Sequence, residues 1–364
     1  MKFVLLILIL FHALIHLFGF AKAFNLAAVQ QLVQPISKIN GVLWLASALL
    51  LGTTALLLWF QKDTWWICAA AAVLLSQYLI FTSWQDAKFG TLANVLIAFA
   101  AFVGFGTARF VQAYTADVHA GIQQTAAQQP TLLTEADLQP LPVPVQQYLR
   151  YVGAVGRPKV HSFKVAFVGQ IRKNEQSEWM PFTSEQYNFM EVPTRLFFMK
   201  ATMKQLPVAG YHAYKNGTAF MDIRLLSLLK VQYQTGKEMD RSETVTFFND
   251  MCCMAPATLI DKRIQWLETE GQKVKAAFTV NGITITAWLY FNEAGALVNF
   301  ISNDRYATGD NNTVQLLPWS TPLKDYKVFN GHTLPGYAET IYTYPEGDFC
   351  YGTFQLAQIV YNKF

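Results

Sequence analysis

The feature that most constrains this chain is a run of four apolar stretches before residue 111. They lie near Phe3 to Ala21, Gly41 to Phe60, Thr64 to Trp84 and Phe89 to Phe110. Each has about the 20 residues that a helix needs to cross the hydrocarbon of a bilayer. Trp44, Trp59, Trp65, Trp66 and Trp84 fall at or near the ends, where an amphipathic indole sits well at headgroup level. Charged residues are sparse over the first hundred positions and become ordinary after about Leu133. With 52% hydrophobic and 14% charged residues overall, the chain of 364 residues is too apolar for an ordinary soluble enzyme. The asymmetry predicts a four-helix transmembrane domain over 1–112, a linker with a short helix over 113–140 and a β-rich soluble domain over 141–364.

The first stretch also carries features of a cleaved signal peptide, since Lys2 precedes it and Ala21-Lys22-Ala23 mimics a small-residue cleavage site. It is long for a signal core and holds two histidines, so it is read as a span. Lys2, Lys62 and Arg109 would then face one side, and Lys22, Lys38 and Lys88 the other, so loop charge leaves the orientation open. A net charge of +4 gives no nucleic-acid footprint. Cys68, Cys252, Cys253 and Cys350 have no C-x-x-C spacing, and neither a metal nor a cofactor is expected.

Beyond Arg109 the chain turns polar, and Thr134 with Asp137 marks a helix start. "VPVQQYLRYVG" then sets Val143, Val145, Tyr148, Leu149 and Val152 near helical spacing before Gly153. From there to the C-terminus the chain alternates with period two in runs such as "HSFKVAFVGQIR", "TRLFFMKATM" and "ITITAWLYF". Asn216-Gly217, Asn281-Gly282 and Asn330-Gly331 are hairpin signals between such runs, the second being the strongest. About ten antiparallel strands are expected from this pattern. "RSETVTFFNDMCCMAPATLID", from Arg241 to Asp261, breaks the alternation and reads as a helix capped by Ser242 and ending before Pro256. The fold expected is α+β: a transmembrane four-helix bundle, then a large curved antiparallel sheet packed on one or two helices.

Five strings carry a resemblance: "HxxxHLxGFxKAF" from His12, "QPISK" from Gln34, "SQYLIFTSWQDAKFGTLAN" from Ser76, "LPVPVQQYLRYVG" from Leu141 and "FFNDMCCMAPATLID" from Phe247. The chain resembles, through them, an uncharacterised family of four-span bacterial membrane proteins, a domain of unknown function that supplies no activity. The strand pattern of the soluble half is similar to the half-barrel of outer-membrane lipoprotein carriers. These resemblances imply a multi-pass protein of the bacterial inner membrane. The carrier likeness alone implies the outer side for the soluble half.

His12 and His16 are four residues apart and share one helix face. As neutral imidazoles they would bond across the bundle to Ser76, Gln77, Ser83 or Asn94, at a modest gain of about 0.6 kcal/mol per bond. Polar groups at membrane depth also mark functional sites, so His12, His16, Gln77, Asp86, Lys88 and Asn94 are candidate ligand-binding residues. In the soluble half there is no G-x-S-x-G elbow, P-loop or H-E-x-x-H. Glu243 and Asp250, two helical turns apart, are the candidate catalytic carboxylates, with a structural pairing to Arg305 as the alternative. Trp288, Met251, Met254 and Arg305 are candidate contacts for a greasy ligand. Three functions stay open: a membrane-tethered binding protein for a lipid or other apolar molecule, a membrane enzyme on a lipid-like substrate, and a structural or partner-binding membrane protein.

Overall fold

The computed structural model describes residues 2–125, 131–204, 206–308 and 313–364. The chain divides into two compact units, Met1–Ala113 and Tyr114–Phe364. The first holds α1 (Lys2–Ala23), α2 (Lys38–Trp59), α3 (Trp65–Thr82), the single turn α4 (Trp84–Ala87) and most of α5 (Gly90–Thr125). All but α4 are long and apolar enough to cross a membrane. The bundle is apolar outside, with Phe3, Ile7, Leu74 and Phe99 exposed, and its interior joins an apolar cluster of Leu6, Ile9, Leu51 and Ile97 to a few buried polar residues, His12, His16, Ser76 and Asn94 among them. That arrangement suits a hydrocarbon solvent, which rewards exposed apolar side chains and penalises exposed polar ones. Small residues set the approach of the helices, since a Cβ at Gly19 would lie 2.3 Å from the Trp44 ring.

The linker expected from residue 113 begins instead as helix, because α5 runs on to Thr125. Its last turns keep an inward stripe, with Tyr114 and Val118 buried in the second unit. Residues 126–130 of the expected linker lie outside the described residues. A capping box of Thr134 and Asp137 then starts α6 (Glu135–Leu138), and α7 (Val143–Tyr151) buries Val145, Tyr148 and Leu149, while Val143, expected on the same face, is exposed in the first turn.

Among the described residues the sheet has fourteen antiparallel strands, more than the ten or so expected. Its first arm is β1 (Ser162–Ile171), β2 (Met180–Phe189), β3 (Thr194–Met203), β4 (Leu206–Lys215), β5 (Thr218–Leu225) and β6 (Leu229–Thr235). Helix α8 (Lys237–Met254) follows, and a 3-10 turn (Pro256–Ile260) leads into the second arm. That arm is β7 (Ile264–Glu270), β8 (Lys273–Val280), β9 (Ile283–Phe291), β10 (Leu297–Thr308), β11 (Val314–Ser320), β12 (Leu323–Phe329), β13 (His332–Tyr344) and β14 (Gly347–Tyr361). Several of the strands missed in sequence carry polar residues on a buried face, as Gln186 and Asn188 do in β2, or a proline within the run, as Pro207, Pro318 and Pro335 do.

The order β6-β5-β4-β3-β2-β1-β14-β13-β11-β10-β9-β8-β7 places β1 and β14 at the centre, with β12 paired only to β13. The chain therefore grows from the centre to one edge, crosses back as α8 and grows inward from the other edge. Helix α8 touches strands of both arms, so the sheet curls around it as a half-barrel. Type I′ hairpin turns join β4 to β5, β8 to β9 and β12 to β13, with Asn216, Asn281 and Asn330 near φ +48° or +47° and a glycine after each. Helix α8 begins at Lys237, earlier than expected. Ser242 is no cap; it is buried in the second turn, where its Oγ accepts the Tyr306 N–H at 2.9 Å.

Candidate functional site

From Ser242 to Met254 every residue of α8 is buried, though its sequence is half polar. Such a helix needs polar partners on the sheet around it. The central one is Arg195 of β3, whose Nε donates to Asp250 Oδ2 at 2.8 Å and whose Nη1 donates to Glu243 Oε2 at 3.1 Å. Its Nη2 donates to Gln186 Oε1 at 3.0 Å, and Gln186 and Asn188 both donate to Asp250 Oδ2. Glu243 and Asp250 do share a helix face, and one guanidinium bridges them.

Arg305 closes the cluster from β10. Its Nε donates to Tyr342 Oη at 3.0 Å, its Nη1 to the Ser242 carbonyl at 2.9 Å and to Thr246 Oγ1, and its Nη2 lies 3.9 Å from Glu243 Oε1. Burial pulls the Glu243 pKa upward, but Arg195 and Arg305 outweigh it and hold the group below the ordinary carboxylate value. For Asp250 burial wins over Arg195, and its pKa lies above the ordinary value. His212, facing the same two guanidiniums, is pushed down to about 4, chiefly by burial.

Register extends this cluster into a lining, because cross-strand partners share a face. The row Gln186, Phe197, His212 and Met221 runs across β2 to β5 beside α8. The next row is Ser184, Met199, Gly210 and Ile223, and the one after it Phe182, Ala201, Val208 and Leu225. From β14 the Phe354 ring meets Phe182 at 5.1 Å and Phe167 at 5.6 Å. The inner face thus passes from charged beside α8 to apolar, and ends on Met203 and Leu206, which are 37% and 38% exposed. Around Gly210 a Cβ would find Met199 Cε at 3.6 Å, Ile223 Cγ1 at 3.7 Å and His212 Nε2 at 4.0 Å.

The outer face of the same strands is fixed by the last turns of α5. Tyr114 packs on Tyr187, Phe198 and Tyr211, and Asp117 accepts the Tyr211 hydroxyl and pairs with Lys215, both at 2.5 Å. A Cβ at Gly121 would meet the Phe189 ring at 2.3 Å. Alternation therefore ties β2 to β4 to α5 on one face and to α8 on the other.

In the helical unit His12 Nε2 bonds to Asn94 Oδ1 at 3.0 Å and to Ser76 Oγ at 3.2 Å. An amide oxygen only accepts, so His12 carries its proton on Nε2. His16 Nδ1 donates to the His12 carbonyl at 2.9 Å, and Asn94 Nδ2 donates to Gln77 Oε1 at 3.0 Å. Asp86 lies apart, accepting the Val33 and Gln34 N–H groups at 2.7 and 2.8 Å, and Lys88 sits over Phe89. No hydrogen bond joins either to the histidine pair among the described residues.

Met251 and Met254 are fully or nearly buried in the core between α8 and the sheet. Trp288 lies elsewhere, on the face of β9 turned from α8, with Lys273 and Lys275 over its ring at 4.8 and 5.5 Å. A shallow hollow of about 370 Å³ is lined by Gln147, Arg150, Tyr151, Glu293, Ala294 and Gly295. Sequence reading missed Arg195 and takes His212 for an isolated surface residue, whereas it is half-buried on the inner face. Their signal was parity, since Arg195 falls in "TRLFFMK" on the same face as Phe197 and Met199.

Residues 131–354 match the family described as "Family of unknown function (DUF6544)". No curated protein matches the sequence. Among solved structures, the chain is similar to an outer-membrane lipoprotein-sorting protein domain from Vibrio parahaemolyticus, at 10% identity and TM-score 0.32, covering 56% of this chain and 86% of that one. A LolA superfamily protein from Nitrosomonas europaea is 8% identical at TM-score 0.30, covering 61% and 96%. A DUF1329 family protein from Desulfovibrio piger is 9% identical at TM-score 0.34, covering 64% and 94%.

Proposed function

We propose that this chain, which belongs to the DUF6544 family of unknown function, holds the apolar part of a lipid along the inner face of its half-barrel while four apolar helices tether it to a membrane. The observation that carries the reading is the graded inner face. Phe182, Met199, Ala201, Val208, Ile223 and Leu225 follow one another away from α8 and end on the exposed lip of Met203 and Leu206. An exposed apolar lip costs free energy in water, at about 25 cal/mol per Å², and that cost is recovered when an acyl chain covers it. Flexible methionines and rigid aromatics accommodate a chain of variable shape.

The carboxylates Glu243 and Asp250 serve a different purpose in this reading. Both are engaged by Arg195, so they neutralise a buried guanidinium and anchor α8 to β3. The ligand then lies beside them, along the strands.

The test uses the full-length chain in detergent with a photoreactive acyl lipid, followed by mapping of the labelled peptides. Labels on β3 to β5, around Met199 and Ile223, are expected, together with their loss in Gly210→Phe, which fills the inner face. Labels confined to the apolar helices would overturn the reading.

A further inference from the structure

Two polar groups on the inner face, where it passes from the charged cluster to the apolar rows, make no hydrogen bond among the described residues. Ser184 Oγ is buried, the residue being 7% exposed, and makes no hydrogen bond. His212 is half-buried, and among the described residues neither of its ring nitrogens is hydrogen-bonded; its contact is an edge-on packing against Phe197 at 5.6 Å. Both project from the inner face: Ser184 shares parity with Gln186, which reaches Asp250 on α8, and His212 shares parity with Tyr214, which bonds Thr244 on α8. They occupy adjacent rows, and His212 Nε2 leans toward Gly210, the residue in the Ser184 row. The buried Ser184 hydroxyl is costly unless something bonds to it, and the His212 imidazole beside it, at the border between the charged cluster and the apolar rows, has both ring nitrogens open to a ligand.

We infer that Ser184 and His212 recognise the head of the bound lipid, and that this head is uncharged and bears a hydroxyl, as in a monoacylglycerol. The inference rests on the acyl-chain reading above and adds the direction of the ligand: head inward beside α8, tail outward toward Met203 and Leu206. A neutral imidazole offers one donor and one acceptor, and a serine hydroxyl offers both, which matches an alcohol. An anionic head fits poorly. Every nitrogen of Arg195 already donates within the cluster, and Arg305 is committed to Tyr342, Ser242 and Thr246 with Glu243 close by. Among the described residues no uncommitted cation faces these rows, so a buried carboxylate or phosphate there would stand unpaired. The low pKa of His212 agrees with an imidazole that stays neutral.

The experiment labels the full-length chain with three photoreactive probes that share one acyl chain and end in a glycerol ester, a free carboxylate or a methyl group. Preference for the glycerol ester over the methyl-ended chain, by roughly tenfold per bond made, is expected at β3 to β5. In Ser184→Ala with His212→Phe that preference should vanish while labelling by the methyl-ended probe persists, which also shows that the variant folds. Equal labelling by all three probes in the unaltered chain would overturn the head-group inference and leave the acyl-chain reading standing. Strongest labelling by the carboxylate would overturn it in favour of an anionic lipid. Absence of label from β3 to β5 with every probe would remove both.

Discussion

His12 in the helical unit is 2% exposed and Arg195 in the sheet unit is 8% exposed, yet different chemistry holds them. His12 belongs to a neutral chain of hydrogen bonds through Ser76, Asn94, Gln77 and Thr91. Arg195 sits in an ionic cluster with Glu243, Asp250 and the nearby Arg305. A neutral network tolerates the loss of a member, because the remaining groups re-pair and none is left charged. An ionic one does not, because each loss strands a charge in a poorly solvated interior. The helical unit can therefore vary its polar centre at small cost, while the sheet unit depends on one arginine.

The largest effect is expected at that arginine. Arg195→Met should strip Asp250 of its ionic partner, leave Glu243 with only the more distant Arg305, and destabilise the sheet unit by about 3–5 kcal/mol. That corresponds to a fall in Tm of about 10 °C for a unit of this size, read by thermal melting of the full chain. Replacing all four charges at once, Arg195→Met and Arg305→Met with Glu243→Leu and Asp250→Leu, should cost less than Arg195→Met alone. A quadruple variant less stable than the single one would show that the cluster contributes by itself and is more than a set of mutually neutralised charges.

Acid gives the second test. His212 has a folded pKa of about 4 against 6.5 when free, so its contribution is complete above pH 6.5 and is lost as pH falls toward 4. At about 1.36 kcal/mol per pKa unit the loss over that window is at most about 3 kcal/mol, and solvent at the half-buried ring lowers it. Glu243 adds to it below its ordinary value of 4.5, because its folded pKa is lower still. Melting temperatures of the unaltered chain should fall between pH 6.5 and 4, and those of His212→Phe should fall less. Parallel curves for the two proteins would place the acid sensitivity elsewhere.

The two units also differed in how much of them could be read from sequence. The four long apolar helices were legible because length and apolarity alone define them, and the three Asn-Gly turns were legible because their backbone conformation demands those residues. The partners of His12 could be named in advance, since a bundle interior of this composition offers few polar groups. Helix α8 was found from its spacing, but its start was not, because Ser242 looks like a cap and in fact answers Tyr306 from within the helix. Strand β2 was hidden by Gln186 and Asn188, which lie on a buried face because Asp250 needs them. Parity could place Arg195 and His212 on the inner face, but their roles could not be read, because these depend on α8 crossing from edge to edge, a relation that no local pattern encodes.

A third test enters the helical unit through its packing. Gly19→Val would press two methyl groups into the Trp44 ring, already 2.3 Å from the position of a first Cβ. Overpacking of this kind costs about 1–3 kcal/mol, and a lower melting temperature of the helical signal is expected. Acyl labelling of β3 to β5 should be unchanged. A loss of that labelling would tie the inner face of the sheet to the packing of α1 on α2.

The smallest effect is expected at His12 itself. His12→Leu removes two hydrogen bonds, but Ser76 Oγ still donates to Asn94 Oδ1 at 3.0 Å and Asn94 Nδ2 still donates to Gln77 at 3.0 Å. At about 0.6 kcal/mol per bond the loss is about 1 kcal/mol, partly offset by the apolar side chain introduced. Asn94→Leu should cost somewhat more, since Asn94 joins His12, Ser76 and Gln77 together. If His12→Leu instead lowered the melting temperature as far as Arg195→Met, a neutral network could not account for it. The imidazole would then have to carry a charge or hold a ligand in the native state, and the histidine pair, together with the inner face of the sheet, would become a second place to look for function.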